Sequence, residues 1–331
     1  MRGDFVDSIY KIITDLIKKY DNIIIMTHQN PDLDGLGASI ALYQIIKAFK
    51  KEVYLFKTLD ETTTPVQKMY EVLEQNKIEI ESVNKRNYQH IITDDTLLFI
   101  IDVHKKTIIE HPTILKRVKN VVVLDHHIKS FGYIKNTISS YINSNLSSMA
   151  EFMTGYVKYK NQPLSPVIAT ILLAGMEIDT NSFNVKTPEN SYAAAAYLAK
   201  IGADNILKQE LLKENKEEFL KRQNFIKKSF MVNQNMAMCI LDNNEYSPKD
   251  LATIAEELLQ FENVEASFTI GNLSDKVIGV SARSLGKINV ETYMAKLGGG
   301  GHLTDAACQL KNMTLKEAEK QVKKVINEVT E

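Results

Sequence analysis

The chain has 331 residues, 44% of them apolar and 24% charged, and its 40 basic and 41 acidic side chains leave a formal net charge of −1. That length suits about two domains with sizeable cores. The balanced charge excludes a protein held to long nucleic acid by a broad basic face, and leaves room for a small phosphorylated ligand. Two cysteines, Cys239 and Cys308, form no metal-ligand or disulfide spacing and fit a reducing, cytoplasmic setting. No apolar run reaches the ~18 residues that span a bilayer, and the N-terminus lacks a signal-peptide core. A soluble chain with no membrane segment is expected.

Residues 4–20 place Phe5, Ile9, Ile12, Ile13 and Leu16 at helical spacing, which predicts an amphipathic lead-in helix. The run Ile23-Ile24-Ile25-Met26 reads as a buried parallel strand. After it come His28-Gln29-Asn30-Pro31-Asp32-Leu33-Asp34, and then small residues (Gly35, Gly37, Ala38, Ser39) that open an apolar helix over 40–48. Residues 53–56 form a short strand, 64–73 a helix and 74–86 a polar connection. The apolar strand 97–101 stops at Asp102, and the strand 121–124 stops at Asp125-His126-His127. An edge strand at 141–143 and a helix over 147–159, capped by Ser147 or Ser148, follow. A strongly apolar helix covers 165–175, with Asp179 just beyond its end.

This alternation of strands and helices predicts an α/β fold with a doubly wound parallel sheet. Residues 191–201 read as an Ala-rich helix, and the charged stretch 205–229 as one long exposed helix in which Lys and Glu alternate. A smaller α/β domain then has strands at 237–241, 265–270 and 277–281 and helices at 247–259, 289–297 and 315–329. The expected organisation is a catalytic domain over 1–190, a helical connector over 191–232 and a second domain over 233–331.

An imidazole and two carboxylates on a strand-to-helix turn lie where open α/β sheets bind ligands. Asn-Pro-Asp is also ordinary turn chemistry, and Asp an ordinary helix cap, so alone the stretch fits either a turn or a site. Three later strand ends that also finish in Asp or His weigh toward a site, six residues falling at four strand ends in all. His28, Asp32, Asp34, Asp102, His126 and Asp179 are the candidate ligands, a mixed imidazole and carboxylate set that suits a pair of Mn²⁺-like ions. Two such cations clamp a phosphoryl group and generate a hydroxide for in-line attack. Asp102, on a central strand, is the natural bridging carboxylate, and His127 is assigned to the substrate as a phosphate contact or proton donor. The absence of a Cys ligand disfavours structural zinc. His90, His104 and His111 read as surface histidines. Gly298 to Gly301, followed by His302, allow backbone N–H groups to approach an anion closely, although a flexible hairpin also uses glycines. Arg283 is a candidate bidentate phosphate contact, or an exposed Arg without a ligand.

His28-x-x-x-Asp32-x-Asp34, Asp102, Asp125-His126-His127 and Asp179 resemble the four motifs of the DHH phosphoesterase superfamily. The glycine run with His302 resembles the GGGH motif of its DHH-associated second domain. Within that superfamily, residues 30–34, 173–183, 281–290 and 297–302 with Ala306-Ala307 are similar to the catalytic part of GdpP-type cyclic-di-AMP phosphodiesterases. The resemblance implies two Mn²⁺ ions, one on His28, Asp32 and Asp102 and the other on Asp34, Asp102, His126 and Asp179. It implies hydrolysis of a 3′–5′ phosphodiester of cyclic-di-AMP to linear pApA by a homodimer. Arg283, Ser284, Gly299, Gly300, Gly301 and His302 would hold the substrate across a cleft between the domains. The membrane helices, PAS-like sensor and degenerate GGDEF domain of GdpP-type proteins have no counterpart in this sequence, so an excised catalytic portion or a stand-alone homologue is expected. Stand-alone DHH proteins of the oligoribonuclease and pAp-phosphatase type prefer short linear substrates, which supplies the alternative activity. A cyclic-dinucleotide sensor without turnover is disfavoured because every ligand position is filled.

Overall fold

Strands such as Asn22–Met26 (β1) and Thr96–Ile101 (β4) carry apolar side chains on both faces, which suits only the interior of a parallel sheet. The computed structural model describes residues 2–58, 63–129 and 131–330; the side chain of Phe5 lies outside the described residues. The chain divides into two units, Met1–Glu214 and Asn215–Glu331. No described helix is long and apolar enough to cross a membrane.

The first unit runs α1 (Arg2–Lys19), β1, α2 (Leu33–Ala48), β2 (Glu52–Phe56), α3 (Thr64–Gln75), β3 (Ser82–Val83), β4, β5 (Asn120–Asp125) and β6 (Ser139–Ile142). It closes with α4 (Met149–Lys160), α5 (Pro166–Asp179), α6 (Glu189–Lys200) and α7 (Asn205–Leu212). The sheet has the order β3-β2-β1-β4-β5-β6, parallel throughout. Strand order therefore reverses between β1 and β4, and the crevice beyond their carboxyl ends is the topological switch point of an open α/β sheet.

Alternate strand residues separate two cores. Ile23, Ile25, Leu97, Phe99 and Ile101 pack with α1 to α5, whereas Ile24, Met26, Leu98 and Ile100 pack with Tyr88, Ile109 and Ile114 from the irregular segments between strands. Regular helices thus cover one face, and loops with two 3₁₀ turns cover the other, a departure from the simplest doubly wound layout. The reason lies in the crossovers: residues 102–119 between β4 and β5 hold only one short 3₁₀ turn.

Helices α2 and α5 are apolar nearly all round and are correspondingly buried. They approach closely because Gly175 lacks a side chain: a Cβ there would lie 2.8 Å from both Asp34 Cα and Leu33 O. This glycine sits inside α5, which runs on to Asp179, so Asp179 ends a helix and does not follow a strand.

The long exposed helix expected over 205–229 is instead two. Its first half, α7, buries Leu211 in the first unit's core, and the chain breaks before Asn215, whose side chain caps α8 (Lys216–Lys227) through Glu217 N at 2.8 Å. Phe225 and Ile226 of α8 are buried in the second unit.

That unit continues with β7 (Phe230–Met231), β8 (Met236–Glu245), α9 (Pro248–Leu258), β9 (Ala266–Ser274), β10 (Val277–Ser284), α10 (Val290–Lys296), β11 (Gly300–Gly301), β12 (Asp305–Lys311) and α11 (Leu315–Thr330). Its sheet order is β11-β12-β10-β9-β8-β7. β12 is a strand the sequence reading did not assign, although Ala306, Cys308 and Leu310 alternate buried with exposed neighbours.

Candidate active site

Three strand ends and two helix ends deliver the candidate ligands of the first unit. Beyond β1, the turn is tied to the next crossover by Gln29 N donating to Ile108 O (2.8 Å) and Glu110 N to Thr27 O (3.0 Å). His28 donates through Nδ1 to Gln29 O at 2.7 Å, which leaves Nε2 as the acceptor nitrogen. Asp32 caps α2: its Oδ1 accepts from Asp34 N (3.0 Å) and Gly35 N (3.1 Å). The capping and site readings of Asp32 are therefore compatible, since one carboxylate oxygen does the capping and the other is left over.

Asp34 is fully buried, and its two oxygens accept from Met149 N and Ala150 N, each at 2.7 Å. It thereby anchors the positive N-terminal end of α4 beneath the site. A carboxylate has about four lone-pair positions, so two remain for a ligand.

Asp102 follows β4 with φ +65°, a left-handed backbone that costs a non-glycine residue about 1–3 kcal/mol and is held here by Asp102 N donating to Leu124 O at 2.8 Å. This twist puts its carboxylate among the other ligands. Oδ2 lies 3.5 Å from His28 Nε2, while Oδ1 lies 3.2 Å from His126 Nε2. A Cβ on Gly35 would meet Oδ2 at 3.0 Å, so the small residue after Asp34 makes room for this acid.

His126 Nε2 is also 3.1 Å from Asp179 Oδ2 and 3.9 Å from Asp34 Oδ2. Ligand-capable atoms of His28, Asp32 and Asp102 lie within 4.8 Å of one another; so do those of Asp34, His126 and Asp179, and those of Asp102, His126 and His127.

Four carboxylates and two imidazoles so close together strain one another electrostatically. Burial opposes the charged form of His126, but Asp102 and Asp179, then Asp34, outweigh it and push the imidazole up to about 12. His28, likewise opposed by burial, is raised to about 9 by Asp102 and Asp32. Burial raises Asp34 well above the usual carboxylate range, and Asp179 and Asp102 add to it. Asp179 is pushed up to about 6, chiefly by burial. Asp102 goes the other way: burial would raise it, but His126 and His28 hold it well below the ordinary range.

The pocket demands positive charge. Among the described residues, buried His126 Nε2 and Asp102 Oδ1 make no hydrogen bond although they face each other. An imidazole nitrogen and a carboxylate oxygen in that relation fit ligands of a divalent cation that would displace the imidazole proton, and the mixed N and O donor set suits Mn²⁺-like ions better than a soft-metal site.

His127 is half exposed, at 56% of its side chain, and is held by Asp125, whose Oδ1 accepts from His127 N (3.1 Å) and Nδ1 (2.7 Å). Asp125 itself is fully buried, and its Oδ2 accepts from His104 Nδ1. His104 is thus no surface histidine: it is 3% exposed and belongs to the support of the site. Its place two residues after Asp102 was the signal the sequence offered. His90 is exposed, and His111 is partly buried against Phe56 and Tyr88.

The predicted substrate contacts lie in the second unit. Arg283 on β10 donates from Nε to Glu256 Oε1 (3.0 Å) and from Nη1 to Ala282 O (3.0 Å), so it is paired and not a free cation. Ser284 is buried and its hydroxyl closes the local turn, donating to Ile288 O at 2.6 Å. Gly299 and Gly301 lie flush against β12: a Cβ would come 2.2 Å from Ala307 O and 2.4 Å from Ala306 Cα respectively. The run is therefore a packed edge hairpin, not a loose loop. Gly300 has open space beside it, and His302 is exposed with its N donating to Asp305 O at 2.7 Å.

Residues 22–176 match the DHH family, N-terminal domain, and residues 233–331 the DHHA1 domain. The chain is 36% identical over 323 residues to cyclic-di-AMP phosphodiesterase GdpP of Geobacillus thermodenitrificans, covering 96% of this chain and 49% of that protein. It spans about half the length of such relatives. It is also 27% identical over 304 residues to the bifunctional oligoribonuclease and PAP phosphatase NrnA of Mycoplasma genitalium, covering 86% of this chain and 87% of that one. Among solved structures, an exopolyphosphatase-related protein from Bacteroides fragilis aligns with a TM-score of 0.79 at 19% identity, covering 96% of this chain and 95% of the other, a likeness of fold.

Proposed function

This chain belongs to the DHH family and carries a DHHA1 domain, and from that premise we propose that it is a metal-dependent phosphodiesterase that hydrolyses cyclic-di-AMP to linear pApA. The observation that carries the reading is the position of Asp102, with one carboxylate oxygen toward His28 and the other toward His126. We assign His28, Asp32 and Asp102 to one Mn²⁺, and Asp34, Asp102, His126 and Asp179 to a second. When bound, such a pair supplies Lewis-acid neutralisation of the phosphate and a water acidic enough to attack phosphorus.

The chain's own residues do the rest. Asp34 and Asp32 hold the ends of α4 and α2 against the site, which fixes the carboxylates to the rigid first turns of helices. His127, tied to Asp125 through Nδ1, presents Nε2 at the opposite edge of its ring, and as an imidazolium it donates Nε2–H to a phosphoryl oxygen. Attack of water oxygen on phosphorus breaks the P–O3′ bond; the 3′-hydroxyl leaves with a proton and the 5′ end keeps the phosphate, giving pApA. Gly299 to Gly301, His302 and Arg283 are proposed as phosphate contacts, Arg283 by exchanging Glu256 for the anion. The reading extends to a cytoplasmic homodimer.

A second reading has its own support: NrnA matches this chain over 87% of its length. In that case short oligoribonucleotides or pAp are the substrates. Incubation with cyclic-di-AMP, pApA and pAp separately, with Mn²⁺ and with chelator, decides between them by chromatography. Rapid conversion of cyclic-di-AMP to pApA that then stalls supports the first reading. Poor cleavage of the cycle with fast release of AMP from pApA or pAp moves the assignment to the second.

A further inference from the structure

Behind His127 stands a chain of three side chains. His127 Nδ1 donates to Asp125 Oδ1 at 2.7 Å, and the opposite oxygen, Oδ2, accepts from Nδ1 of His104. An ionised carboxylate only accepts, so both rings carry a proton on Nδ1. Each oxygen of Asp125 is engaged, and rotating the carboxylate would break both bonds together. The anchoring partner is itself packed in: His104 is 3% exposed, its carbonyl accepts from Ile134 N at 2.8 Å, and its neighbour Val103 and Ile134 are buried in the core under the sheet. We propose that His104 is a positioning residue for His127. By fixing Asp125 through Oδ2, it keeps Oδ1 aimed at His127 Nδ1–H, so that Nε2, the nitrogen offered to the substrate, stays in one orientation.

His104 touches no substrate in this scheme and acts only through Asp125. A partner at this remove from a reacting group typically changes activity roughly 10–100-fold. The inference takes its reaction from the function proposed above, whereas the geometry of the three residues stands independently of it.

The test compares the wild-type chain with His104→Leu, which removes the donor, and His104→Asn, whose Nδ2 falls near the original Nδ1. Long-range ¹H–¹⁵N spectra of ¹⁵N-histidine protein with Mg²⁺ read the tautomer of His127, and steady-state kinetics with Mn²⁺ read turnover of cyclic-di-AMP. The expected result is loss of the Nδ1–H signature in His104→Leu with kcat down roughly 10–100-fold and KM within about twofold, and recovery of both in His104→Asn. Wild-type tautomer or wild-type kcat in folded His104→Leu overturns the proposal, and so does failure of His104→Asn to recover. Should His104→Leu not fold, His104→Gln, whose amide reaches past the Nδ1 position, takes its place with the same expectations. A wild type that leaves cyclic-di-AMP intact refutes the function proposed above, and the tautomer spectra then judge the positioning role alone.

Discussion

Replacing Asp34 with Asn separates the two jobs of that carboxylate. Its oxygens accept two amide hydrogen bonds, from Met149 N and Ala150 N at 2.7 Å each. Asn offers one acceptor oxygen, so one buried N–H of α4 faces an amide NH₂ and goes unpaired, a cost of about 1–3 kcal/mol. An opposing effect exists in the metal-free protein. Burial, then Asp179 and Asp102, raise the Asp34 carboxyl well above its usual range. A carboxyl raised on folding loses stability as pH climbs above its unfolded value, so its charge at pH 7 destabilises the metal-free fold and Asn removes that penalty. The chelated variant should therefore melt close to, or modestly below, chelated wild type.

Metal changes the comparison. An ion at 100 times its dissociation constant stabilises the fold by about 2.7 kcal/mol, or about 5.4 kcal/mol for two. The variant should keep only the share of the ion on His28, Asp32 and Asp102. At roughly 2–4 °C per kcal/mol for a unit of this size, the Mn²⁺-induced rise in Tm should shrink by roughly 5–11 °C. Calorimetric melts with Mn²⁺ and with chelator measure it, and titration should give one ion where wild type binds two. An equal Mn²⁺ shift in variant and wild type would refute the ligand role of Asp34.

Gly175→Ala should drive α2 and α5 apart, because the added Cβ meets Asp34 Cα and Leu33 O at 2.8 Å, both backbone atoms. Such overpacking costs about 1–3 kcal/mol; a urea midpoint and Mn²⁺ affinity both matching wild type would contradict it. In chelator, His28 contributes stability that is fully present below its unfolded value of about 6.5 and is lost as pH rises through its folded value of about 9. Denaturation midpoints should fall across that window, and His28→Asn should flatten the fall; a flat wild-type profile argues against the pairing with Asp102 and Asp32. Buried Glu151 accepts from Ser147 N (3.1 Å), Ser147 Oγ (2.7 Å) and Ser191 Oγ (2.6 Å), locking the turn into α4. Glu151→Leu strands those donors and should cost about 1–3 kcal/mol in urea unfolding; an unchanged midpoint would show that the turn does not depend on it.

Much of this protein was legible from local pattern. Apolar runs long enough for one strand end at Met26, Ile101 and Leu124, so the acids and histidines just after them had to sit at the carboxyl edge of a parallel sheet. The capping chemistry of Asp32 and the Pro and Ser that open α9 were equally local, because a helix end is satisfied by residues within three positions. The break at Asn215 was missed since a charged stretch with scattered leucines has no strong period, and tertiary packing of Leu211 and Phe225 into different cores decided where the helix stopped.

Other features were settled only by the fold. Gly175 read as a helix end, yet it lies inside α5, because the glycine is required by the neighbouring backbone of α2 and not by the turn after it. Nothing local to His104 or Asp125 announces their bond, since it joins the ends of two adjacent strands 21 residues apart. The capping of α4 by Asp34 spans more than 100 residues and exists only once that helix has docked. The sequence by itself determined which side chains stand at the ends of which elements, since strand and helix periods are set by the nearest few residues. Tertiary structure alone decided that residues 28, 34, 102, 126 and 179 converge, because strand order brings β1 and β4 side by side and parallel crossovers return every strand to the same edge.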